Sequence, residues 1–564
     1  MVKFISIDLL VSIAAIGAVI IGNFWEAAAV TFLFAIGHAL EVGTMNKTRA
    51  ALSALVAVAP DTAVVLRDGN QVEVSANHVR MGELVLVKNG AKVPVDGQVV
   101  SGIGAIDEAS ITGESIPIEK TKSDHVFAGT IVRSGFLQVL ATGVGADTTL
   151  ARIIHRVEEA QDAKAKTQAF IDRFSKWYTP TVMALALVAG LLSGDVVLAL
   201  TLLVIGCPGA LVISIPVAIV AGIGRSARNG ILIKGGEYLE TSAKISAVAV
   251  DKTGTLTEGK PKLTDIVVLD PALKRSDVLR WAAAAEAGSE HPLARPVLDT
   301  ARAEGVAPEG VPETVTPVIG KGIMVDLDGT QVLIGNGLLL TQYDITDDAG
   351  SAAIADELAA AGKTPMIVAV GGTVIGVIGV ADTIRKDAPE MIQRLHAAGV
   401  QKVVILTGDS QRVAEAIGRA VGIDEIHASL LPEDKLDAVA QIQREGHTVA
   451  MVGDGVNDAP ALATANIGVA MGAAGSAVAV ETADIALMGD NLLKLPEAIR
   501  LAKRTVSVMQ QNIIIALVTV ALLLVGVFTG GVTMAIGMLV HEGSVLVVIL
   551  NAMRLLRNTQ DATT

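Results

Sequence analysis

Three long apolar blocks divide the chain and restrict the kind of structure that it can form. They cover about residues 5–42, 178–223 and 513–556, and a short polar or glycine-containing turn interrupts each of them near its middle. Each block is long enough for two membrane helices of roughly 20 residues. The mean hydropathy of +0.56 is too high for an ordinary soluble protein. The pattern therefore predicts six transmembrane helices arranged as three hairpins.

The charges that flank these helices predict how they are oriented. The short turns at residues 23–26, 193–195 and 529–533 carry no Lys or Arg. Because basic segments stay on the cytoplasmic side of a membrane, we expect the large loops and both termini to be cytoplasmic in a multi-pass plasma-membrane protein. The opposite ends of the helices carry Lys3, Lys47, Arg49, Arg173, Lys176, Arg225, Arg228, Lys234, Lys503, Arg504, Arg554 and Arg557.

Charge and cysteine content exclude several classes of protein. The 58 acidic against 44 basic residues give a formal net charge of −14 without a basic tract, which argues against nucleic acid as a partner. The single cysteine, Cys207, excludes an intramolecular disulfide, a paired-cysteine zinc knuckle and a Cys-x-x-Cys metal-binding domain. The function must therefore come from the membrane helices and from the soluble segments between the apolar blocks.

The soluble segment between the first two blocks has the pattern of a small all-β unit. An amphipathic helical stretch at residues 150–174 follows it and leads back to the membrane. The expected strands are β-branched, alternating and bounded by turn residues, and they lie at residues 64–74, 84–87, 98–100 and 137–142.

The segment between the second and third blocks has an α/β pattern. Short apolar runs at residues 248–250, 403–406 and 448–452 each end in a loop rich in Gly and Asp, and helical patterns at 388–398 and 410–421 lie between them. This alternation predicts a parallel, doubly wound sheet with its chemistry at the carboxyl ends of the strands. Residues from about 262 to 378 interrupt the sheet as an inserted domain.

Four motifs in this segment have the chemistry of phosphoryl transfer. Asp251-Lys-Thr-Gly-Thr-Leu-Thr257 follows a strand and offers a carboxylate nucleophile beside a loop of hydroxyl and N–H donors. Thr407-Gly408-Asp409 and Gly453-Asp-Gly-Val-Asn-Asp458 end two further strands, and the second supplies carboxylates that suit Mg²⁺. Lys435 adds a positive charge for a phosphate. A single Gly-Asp pair is usually only a turn, but four such motifs in this order indicate a catalytic site.

On these motifs the sequence resembles the P-type ATPases, cation pumps that pass through an aspartyl-phosphate, over nearly the whole chain. The resemblance implies that Asp251 is phosphorylated and that Asp251, Thr253 and Asp454 surround Mg²⁺. It also implies that Asp458 is a nearby supporting residue and that Thr407, Lys435 and Asn457 contact the phosphate. The all-β unit contains Thr112-Gly-Glu114-Ser115, where the family uses the Glu to position a hydrolytic water. Alone, that tetrapeptide is typical of a solvated turn.

The inserted domain resembles the nucleotide-binding domain of the heavy-metal (type IB) P-type ATPases. It contains Ser289-Glu-His291-Pro-Leu293 and Gly320-Lys-Gly322. A single His is more often structural, and one Gly-x-Gly is a weak signal. The resemblance implies that His291 contacts the adenine of ATP and that Glu286, Gly320 and Gly322 line the pocket.

The only cysteine lies within the second apolar block, in Cys207-Pro208-Gly209. Proline removes a backbone donor and opens a helix, and a thiolate beside that break is a soft metal ligand. An isolated buried cysteine more often packs as a small hydrophobic residue, but Cys-Pro before the phosphorylation domain matches the transport site of the heavy-metal pumps. Those pumps usually carry Cys-Pro-Cys, Ser-Pro-Cys or Cys-Pro-His, so Gly209 departs from the pattern at one ligand position.

The last apolar helix supplies further candidate ligands. His541-Glu542-Gly543-Ser544 places ionisable groups at membrane depth, where they are costly and usually functional. This segment resembles the His-Glu-Gly signature of the cobalt-like subclass, and the expected transport ligands are therefore Cys207, Pro208, His541, Glu542 and Ser544. One cysteine disfavours Cu⁺, which prefers several sulfur ligands. For His38 and Glu41, an entry site and a solvated interfacial role are equally good interpretations.

The resemblance also implies the domain organisation. We expect a six-helix transmembrane bundle, a small all-β actuator domain, and a haloacid-dehalogenase-like α/β phosphorylation domain with an inserted α+β nucleotide-binding domain. The expected bounds are 1–43 for transmembrane helices 1–2, 44–157 for the actuator domain, 158–240 for helices 3–4, 241–261 and 379–500 for the phosphorylation domain, 262–378 for the nucleotide-binding domain, and 501–564 for helices 5–6 with the tail. The chain begins just before the third helix of the family, as either a naturally short pump or a truncated sequence would.

The predicted function is ATP-driven efflux of a divalent transition metal such as Zn, Cd or Co, with Mg²⁺ as cofactor, by a monomer embedded in membrane lipid. One alternative is a membrane-tethered phosphatase of the haloacid dehalogenase type, which normally has a second Asp where this chain has Thr253. Others are a metal-sensing receptor that has lost catalysis, which the intact Asp251, Glu114 and Asp454 oppose, and a pump for Mn, Fe, Cu or K.

Overall fold

In a computed structural model of the chain, the structure describes residues 7–56, 60, 62–67, 69–112, 117–162, 165–289, 293–306, 314–318, 320–327, 329–347, 350–453, 458–472 and 483–556. The chain forms two compact units, Met1–Lys244 with Ala470–Thr564, and Ile245–Val469. Each unit has its own elements and its own candidate chemistry.

The helices of the described residues are α1 (Ile7–Ile20), α2 (Phe24–Val56), α3 (Ala109–Thr112), α4 (Thr149–Asp162), α5 (Lys166–Ser193), α6 (Val196–Ile205), α7 (Gly209–Arg228), α8 (Gly236–Ser242), α9 (Arg275–Glu286), α10 (Ala294–Ala303), α11 (Gly337–Gln342), α12 (Ser351–Ala360), α13 (Ala388–Ala397), α14 (Gln411–Val421), α15 (Pro432–Arg444), α16 (Ala459–Thr464), α17 (Lys494–Phe528) and α18 (Met534–Met553).

The strands of the described residues are β1 (Thr62–Arg67), β2 (Asn70–Ser75), β3 (Leu84–Val87), β4 (Asp96–Asp107), β5 (Ile118–Lys120), β6 (His125–Val126), β7 (Ile131–Gly143), β8 (Ile231–Ile233), β9 (Ala247–Asp251), β10 (Lys262–Val268), β11 (Thr314–Val318), β12 (Gly322–Leu327), β13 (Thr330–Gly335), β14 (Thr364–Val370), β15 (Thr373–Ala381), β16 (Lys402–Leu406), β17 (Glu425–His427), β18 (Val449–Gly453), β19 (Ile467–Ala470) and β20 (Ile485–Leu487).

The first unit contains the apolar helices. Three helical segments in the described part of the chain are long and apolar enough to cross a membrane, namely Val196–Arg228, Lys494–Phe528 and Met534–Leu556. Leu9–Ile20 and Phe24–Leu40 are shorter apolar helices. Large apolar side chains such as Trp25 and Leu192 are 77% and 85% exposed on this unit, as lipid-facing side chains would be in the absence of a bilayer.

The predicted fourth membrane helix is not continuous. It is interrupted at Gly206–Pro208, between α6 and α7. Pro208 has no N–H to continue the hydrogen-bond ladder of α6, and its fixed φ is well suited to the start of α7. Gly206, Cys207 and Pro208 are buried in the first unit, and irregular backbone at membrane depth is tolerated where protein lines it.

Several helices extend beyond the apolar blocks that predict them. α17 is one helix of 35 residues that starts well before the predicted residue 513, and α5 joins part of the amphipathic stretch to a membrane segment. A 35-residue helix is about 52 Å long, against an apolar bilayer core of roughly 30 Å. Hydrophobicity predicts only the part of a helix that would lie in lipid. The helix itself continues, through its backbone hydrogen bonds, until a helix-breaking residue or a capping residue ends it.

A seven-stranded antiparallel sheet follows α2, in the order β2-β1-β3-β7-β4-β5 with β6 on the side of β4. The predicted strand at residues 64–74 is a hairpin of β1 and β2, because Gly69 reverses the chain with a φ of +80°. Val65, Val85 and Val139 belong to its buried core. α3 ends at Thr112, where the described residues break off before residue 117.

The second unit contains a sheet in the order β17-β16-β9-β18-β19. β17, β16, β9 and β18 run parallel, which confirms the sheet predicted from the alternating pattern. A second, antiparallel sheet in the order β10-β15-β14-β13-β12-β11 lies in sequence between β9 and β16. The register pairs Leu406 with Asp251 and Val452 with Val250, so the carboxyl ends of β16, β9 and β18 meet at one edge.

Candidate functional site

Three predicted motifs meet at this edge of the parallel sheet. Asp251 is the last residue of β9, and Thr407 and Gly453 lie at the ends of the neighbouring strands β16 and β18. Lys252–Leu256 then form a wide turn in which Thr253 and Gly254 are non-helical, with a φ of +73° at Gly254. The backbone N–H of Thr253 donates to the Asp251 carboxylate. Glycine permits this turn because it adopts positive φ without a Cβ penalty.

Lys435, on α15, links two carboxylates at the centre of the site. Its Nζ donates to Oδ1 of Asp251 at 2.6 Å and to Oδ1 of Asp458 at 2.9 Å. The side chains of Asp251 and Asp458 are 10% and 6% exposed. One ammonium thus holds two buried carboxylates, and the cluster keeps a net negative charge when both are ionised.

The pKa of Asp251 is raised to about 6, because burial and then the negative charge of Asp458 outweigh Lys435 and the Thr253 N–H, which lower it. Burial would lower the pKa of Lys435, but Asp251 and Asp458 outweigh it and raise that pKa above its ordinary value. Lys435 therefore stays charged at neutral pH, and Asp251 is ionised above about pH 6. Hard carboxylate oxygens with a net negative charge fit Mg²⁺.

The turn is also held by residues that sequence reasoning missed. The carboxylate of Asp382 accepts from Oγ1 of Thr257 at 2.6 Å and from the N–H groups of Gly259 and Lys260 at 3.2 and 3.1 Å. Nε of Arg385 donates to the carbonyl of Thr257 at 3.1 Å, and Nη2 donates to that of Gly254 at 3.3 Å. A buried strand ending in Ala-Asp382, after the inserted domain, was the available signal.

The second motif is tied to the first by an ion pair. Nζ of Lys252, which follows Asp251, contacts Oδ2 of Asp409. Thr407 is buried, and its Oγ1 accepts from the N–H of Asp409 at 3.1 Å. The structure therefore brings together Asp251, Thr253, Thr407, Lys435 and Asp458 among the predicted catalytic residues. The predicted Glu114, His291, Asp454 and Asn457 lie outside the described residues.

The inserted sheet domain carries the described part of the predicted nucleotide site. Glu286, at the end of α9, is buried, which raises the pKa of its carboxyl, although Ser289 donates to it. Its Oε2 has no hydrogen-bond partner among the described residues. Gly320 has a φ of +73° in the loop before β12. Any side chain at Gly322 would collide with the backbone of Ile334 on β13, so close strand packing alone explains that glycine.

The break between α6 and α7 brings two predicted ligands together. Cys207 and His541 are 1% and 4% exposed, and both lie beside Gly209. A Cβ on Gly209 would stand 3.0 Å from Nε2 of His541 and 3.7 Å from Sγ of Cys207. Pro208 is the residue before α7. The thiol and the imidazole therefore border the same small space, although 334 residues of numbering separate positions 207 and 541.

The other predicted membrane ligands have different surroundings. Glu542 packs against Gly37 of α2, where any side chain would collide with its carboxylate. Oγ of Ser544 donates to the carbonyl of His541 at 2.7 Å. His38 is exposed and stacks on Phe34, and the side chain of Glu41 is not described. Within the described ranges, three or more His, Cys, Asp or Glu side chains do not gather closely enough to form a metal site.

Comparisons with known proteins identify the two soluble regions. Residues 57–158 match the model of the P-type ATPase actuator domain, and residues 245–466 match that of haloacid dehalogenase-like hydrolases. The chain is 43% identical to a probable cadmium-transporting ATPase of Staphylococcus aureus (strain MRSA252), over 97% of this chain and 77% of the relative. It is 39% identical to a manganese-exporting P-type ATPase of Mycobacterium bovis, over 98% of this chain and 78% of the relative.

A solved structure has the same architecture. The crystal structure of a zinc-transporting PIB-type ATPase in the E2·Pi state is 41% identical to the chain and covers 98% of it, and 90% of that structure is matched. Its TM-score is 0.59. Identity of 39–43% over 97–98% of this chain, two matched family models and the Asp251 cluster lead to one assignment. The chain belongs to the heavy-metal, or PIB-type, class of the P-type ATPases.

Proposed function

We propose that this ATPase exports a divalent transition metal from the cytoplasm, with Asp251 as the phosphorylated residue and Cys207 and His541 as ligands of the transported ion. The observation that carries the proposal is the buried thiol–imidazole pair at the helix break. A thiolate and an imidazole suit Zn²⁺, Cd²⁺ and Co²⁺ better than K⁺. The names of the relatives, which transport cadmium, manganese or zinc, support a divalent ion.

Phosphorylation begins with the ionised carboxylate of Asp251. One of its oxygens attacks the γ-phosphorus of ATP, the bond to the β–γ bridging oxygen breaks, and ADP leaves with that electron pair. Lys435 orients the carboxylate and offsets the negative charge of Asp458. The hydroxyl of Thr407 and the N–H groups of the turn after Asp251 are the donors available to the transferred phosphoryl oxygens. Mg²⁺, held by Asp251, Thr253 and Asp454, would neutralise phosphate charge.

The fate of the phosphoenzyme depends on two positions. Phosphatases of the same superfamily normally have an acid–base Asp two residues after the nucleophile, and this chain has Thr253 there. Thr253 lacks a proton-transfer carboxylate, which favours an aspartyl-phosphate that persists long enough to drive a conformational change. Glu114 is proposed to orient and deprotonate the water that later hydrolyses it, which is carboxylate chemistry.

ATP is proposed to bind the inserted sheet domain, through Glu286, His291, Gly320 and Gly322. The buried Oε2 of Glu286, unpaired among the described residues, supports this role because it would accept a hydrogen bond from an adenine amino group. Since ATP is cytoplasmic, both soluble regions are proposed to face the cytoplasm, with six membrane helices and a monomeric pump. The basic residues at the ends of the apolar blocks support that orientation.

Replacement of Cys207 with Ala is expected to remove metal-stimulated ATP hydrolysis, with at least about a tenfold loss, because it deletes the only sulfur ligand. The measurement is the ATPase activity of the purified protein with Zn²⁺, Cd²⁺, Co²⁺, Mn²⁺, Fe²⁺ and Cu⁺. Phosphorylation by inorganic phosphate, with Mg²⁺ but without a transported metal, is expected to persist, because Asp251 is not changed. Full metal stimulation in Cys207→Ala would contradict the proposed transport site.

Replacement of Asp382 with Ala is expected to slow phosphoenzyme formation about tenfold, because three donors that hold the turn after Asp251 lose their charged acceptor. Asp382→Asn retains an acceptor oxygen and is expected to recover part of the rate. The readout is the initial rate of phosphorylation by ATP. Asp270→Ala is the control. Asp270 lies in a turn of the inserted domain, where its carboxylate accepts one hydrogen bond, from the N–H of Ala272, and this variant should behave as wild type. Equal rates for Asp382→Ala and wild type would exclude a positioning role.

A further inference from the structure

Gly209 is the position at which this chain departs from the Cys-Pro-x motif, and the structure gives a steric reason for the glycine. A Cβ there would be 3.0 Å from Nε2 of His541, which is tighter than nine in ten real Cβ contacts, and 3.5 Å from Cε1, which is an ordinary contact. The φ of Gly209 is not in the left-handed region, so its backbone conformation does not require glycine. What a side chain at 209 would meet is therefore the imidazole of His541, whose Nε2 would have to move by a few tenths of an ångström.

His541 is a buried histidine beside Gly209. Its side chain is buried within the first unit, on α18, and Nε2 lies 3.0 Å from the position of a Cβ on Gly209. In the described part of the chain its ring has no hydrogen-bond partner, and only its backbone carbonyl accepts a bond, from Ser544. A buried imidazole without a partner is costly, and a metal ion bound between it and the thiolate would satisfy it.

The two observations have one explanation. We propose that Gly209 and His541 form a specificity-determining pair, in which the missing side chain at 209 admits the imidazole as the second ligand beside Cys207. The proposal rests on the export of a metal by this chain. A second cysteine at 209 would give a dithiolate, which suits soft Cu⁺, whereas one thiolate with one imidazole suits borderline divalent ions such as Zn²⁺ and Co²⁺. The glycine therefore sets the class of metal.

The test uses substitutions that add or remove bulk at this contact. Gly209→Ala inserts a methyl group against His541, and His541→Ala removes the ring. Each is expected to weaken Co²⁺ and Zn²⁺ binding to the purified full chain about tenfold or more, as loss of a ligand does. The double variant is expected to bind no more weakly than His541→Ala alone, because the methyl group then has nothing to displace. Gly543→Ala is the matched control, since a Cβ there meets nothing within 4 Å.

Spectra of bound Co²⁺ identify the ligands directly. Wild-type protein is expected to show one thiolate-to-Co²⁺ charge-transfer band that disappears in Cys207→Ala. Gly209→Cys is expected to strengthen this band about twofold, because a second sulfur enters, and to shift preference towards Cu⁺. The proposal would be overturned if Gly209→Ala bound Co²⁺ with the affinity and spectrum of wild type. It would also be overturned if the losses of Co²⁺ affinity in the two single variants added up in the double variant.

Phosphorylation of Asp251 by inorganic phosphate is measured for every variant and reports whether it folds. If Gly209→Ala is not phosphorylated, His541→Ala, which adds no bulk, is compared with wild type instead. Unchanged Co²⁺ affinity and an unchanged d–d spectrum in His541→Ala would then overturn the proposal. A tenfold loss of affinity with an altered spectrum would support it. Failure of the proposed function has a different signature. Wild-type protein would then bind Co²⁺ through Cys207 and His541 without any metal stimulation of its ATPase activity.

Discussion

Asp251→Asn is expected to abolish the phosphoenzyme and to lower metal-stimulated ATP hydrolysis by at least about 1,000-fold. The amide has the shape of the carboxylate but no anionic oxygen to attack the γ-phosphorus. The substitution also removes one of the two buried carboxylates that share Lys435, so it relieves repulsion with Asp458 instead of leaving a charge unpaired. We therefore expect the variant to fold with a melting temperature no lower than that of wild type, which assigns the loss to chemistry.

The measurement is incorporation of labelled phosphate from ATP into acid-precipitated protein, together with steady-state ATP hydrolysis. Asp265→Asn is a matched control, because Asp265 also pairs with a lysine, Lys363 at 2.6 Å, but lies on β10 of the inserted domain. That variant should form phosphoenzyme at the wild-type level. Labelling of Asp251→Asn would mean that another residue accepts the phosphoryl group and would contradict the assignment.

Lys435→Met is expected to slow phosphoenzyme formation about 100-fold at pH 7, because the two carboxylates then face each other without a cation. The pKa of Asp251 is already raised to about 6 by burial and by Asp458. Loss of Lys435 removes the cation that lowers it and leaves only the Thr253 N–H to do so, so the pKa rises further and a smaller fraction of Asp251 is ionised at neutral pH. Since only the ionised form attacks, the rate should recover in part as the pH increases.

The readout is the pH dependence of the phosphorylation rate between about pH 5.5 and 9. In wild type we expect the rate to increase with pH through about 6, where Asp251 ionises, and in Lys435→Met the increase should move to higher pH. Lys402→Met is the matched control, because Lys402 also bridges two carboxylates. These are Glu425, on the edge strand β17, and Glu445, and both are partly exposed. An unshifted profile in Lys435→Met would show that Lys435 does not control the nucleophile.

Much of the fold follows from local sequence. The apolar blocks predict where helices enter lipid, and the alternating runs predict β9, β16 and β18, with the motifs at their ends. Helix bounds were less predictable, because α17 continues from polar into apolar sequence without a break. The hairpin of β1 and β2 and the break between α6 and α7 depend on single turn and proline residues inside longer patterns.

The candidate sites divide in a similar way. The motifs name Asp251, Lys435 and Cys207, because their chemistry is carried by residue type and neighbours. Three contacts cannot be inferred from any single segment of the sequence. One lysine joins Asp251 and Asp458, and Asp382 holds a turn 125 positions earlier. His541 lies against the position where Gly209 has no side chain.

What the sequence by itself determined was the position of the apolar helices, the parallel sheet and the phosphoryl-transfer chemistry, since hydrophobic periodicity and strand-end motifs act over a few residues. Only the tertiary structure decided which two carboxylates accept hydrogen bonds from the same lysine. It also decided which aspartate orients the turn after Asp251 and which histidine lies near the single cysteine. These contacts depend on how separate helices and strands pack, because a distance of about 3 Å between side chains far apart in sequence is set by the whole of the fold between them.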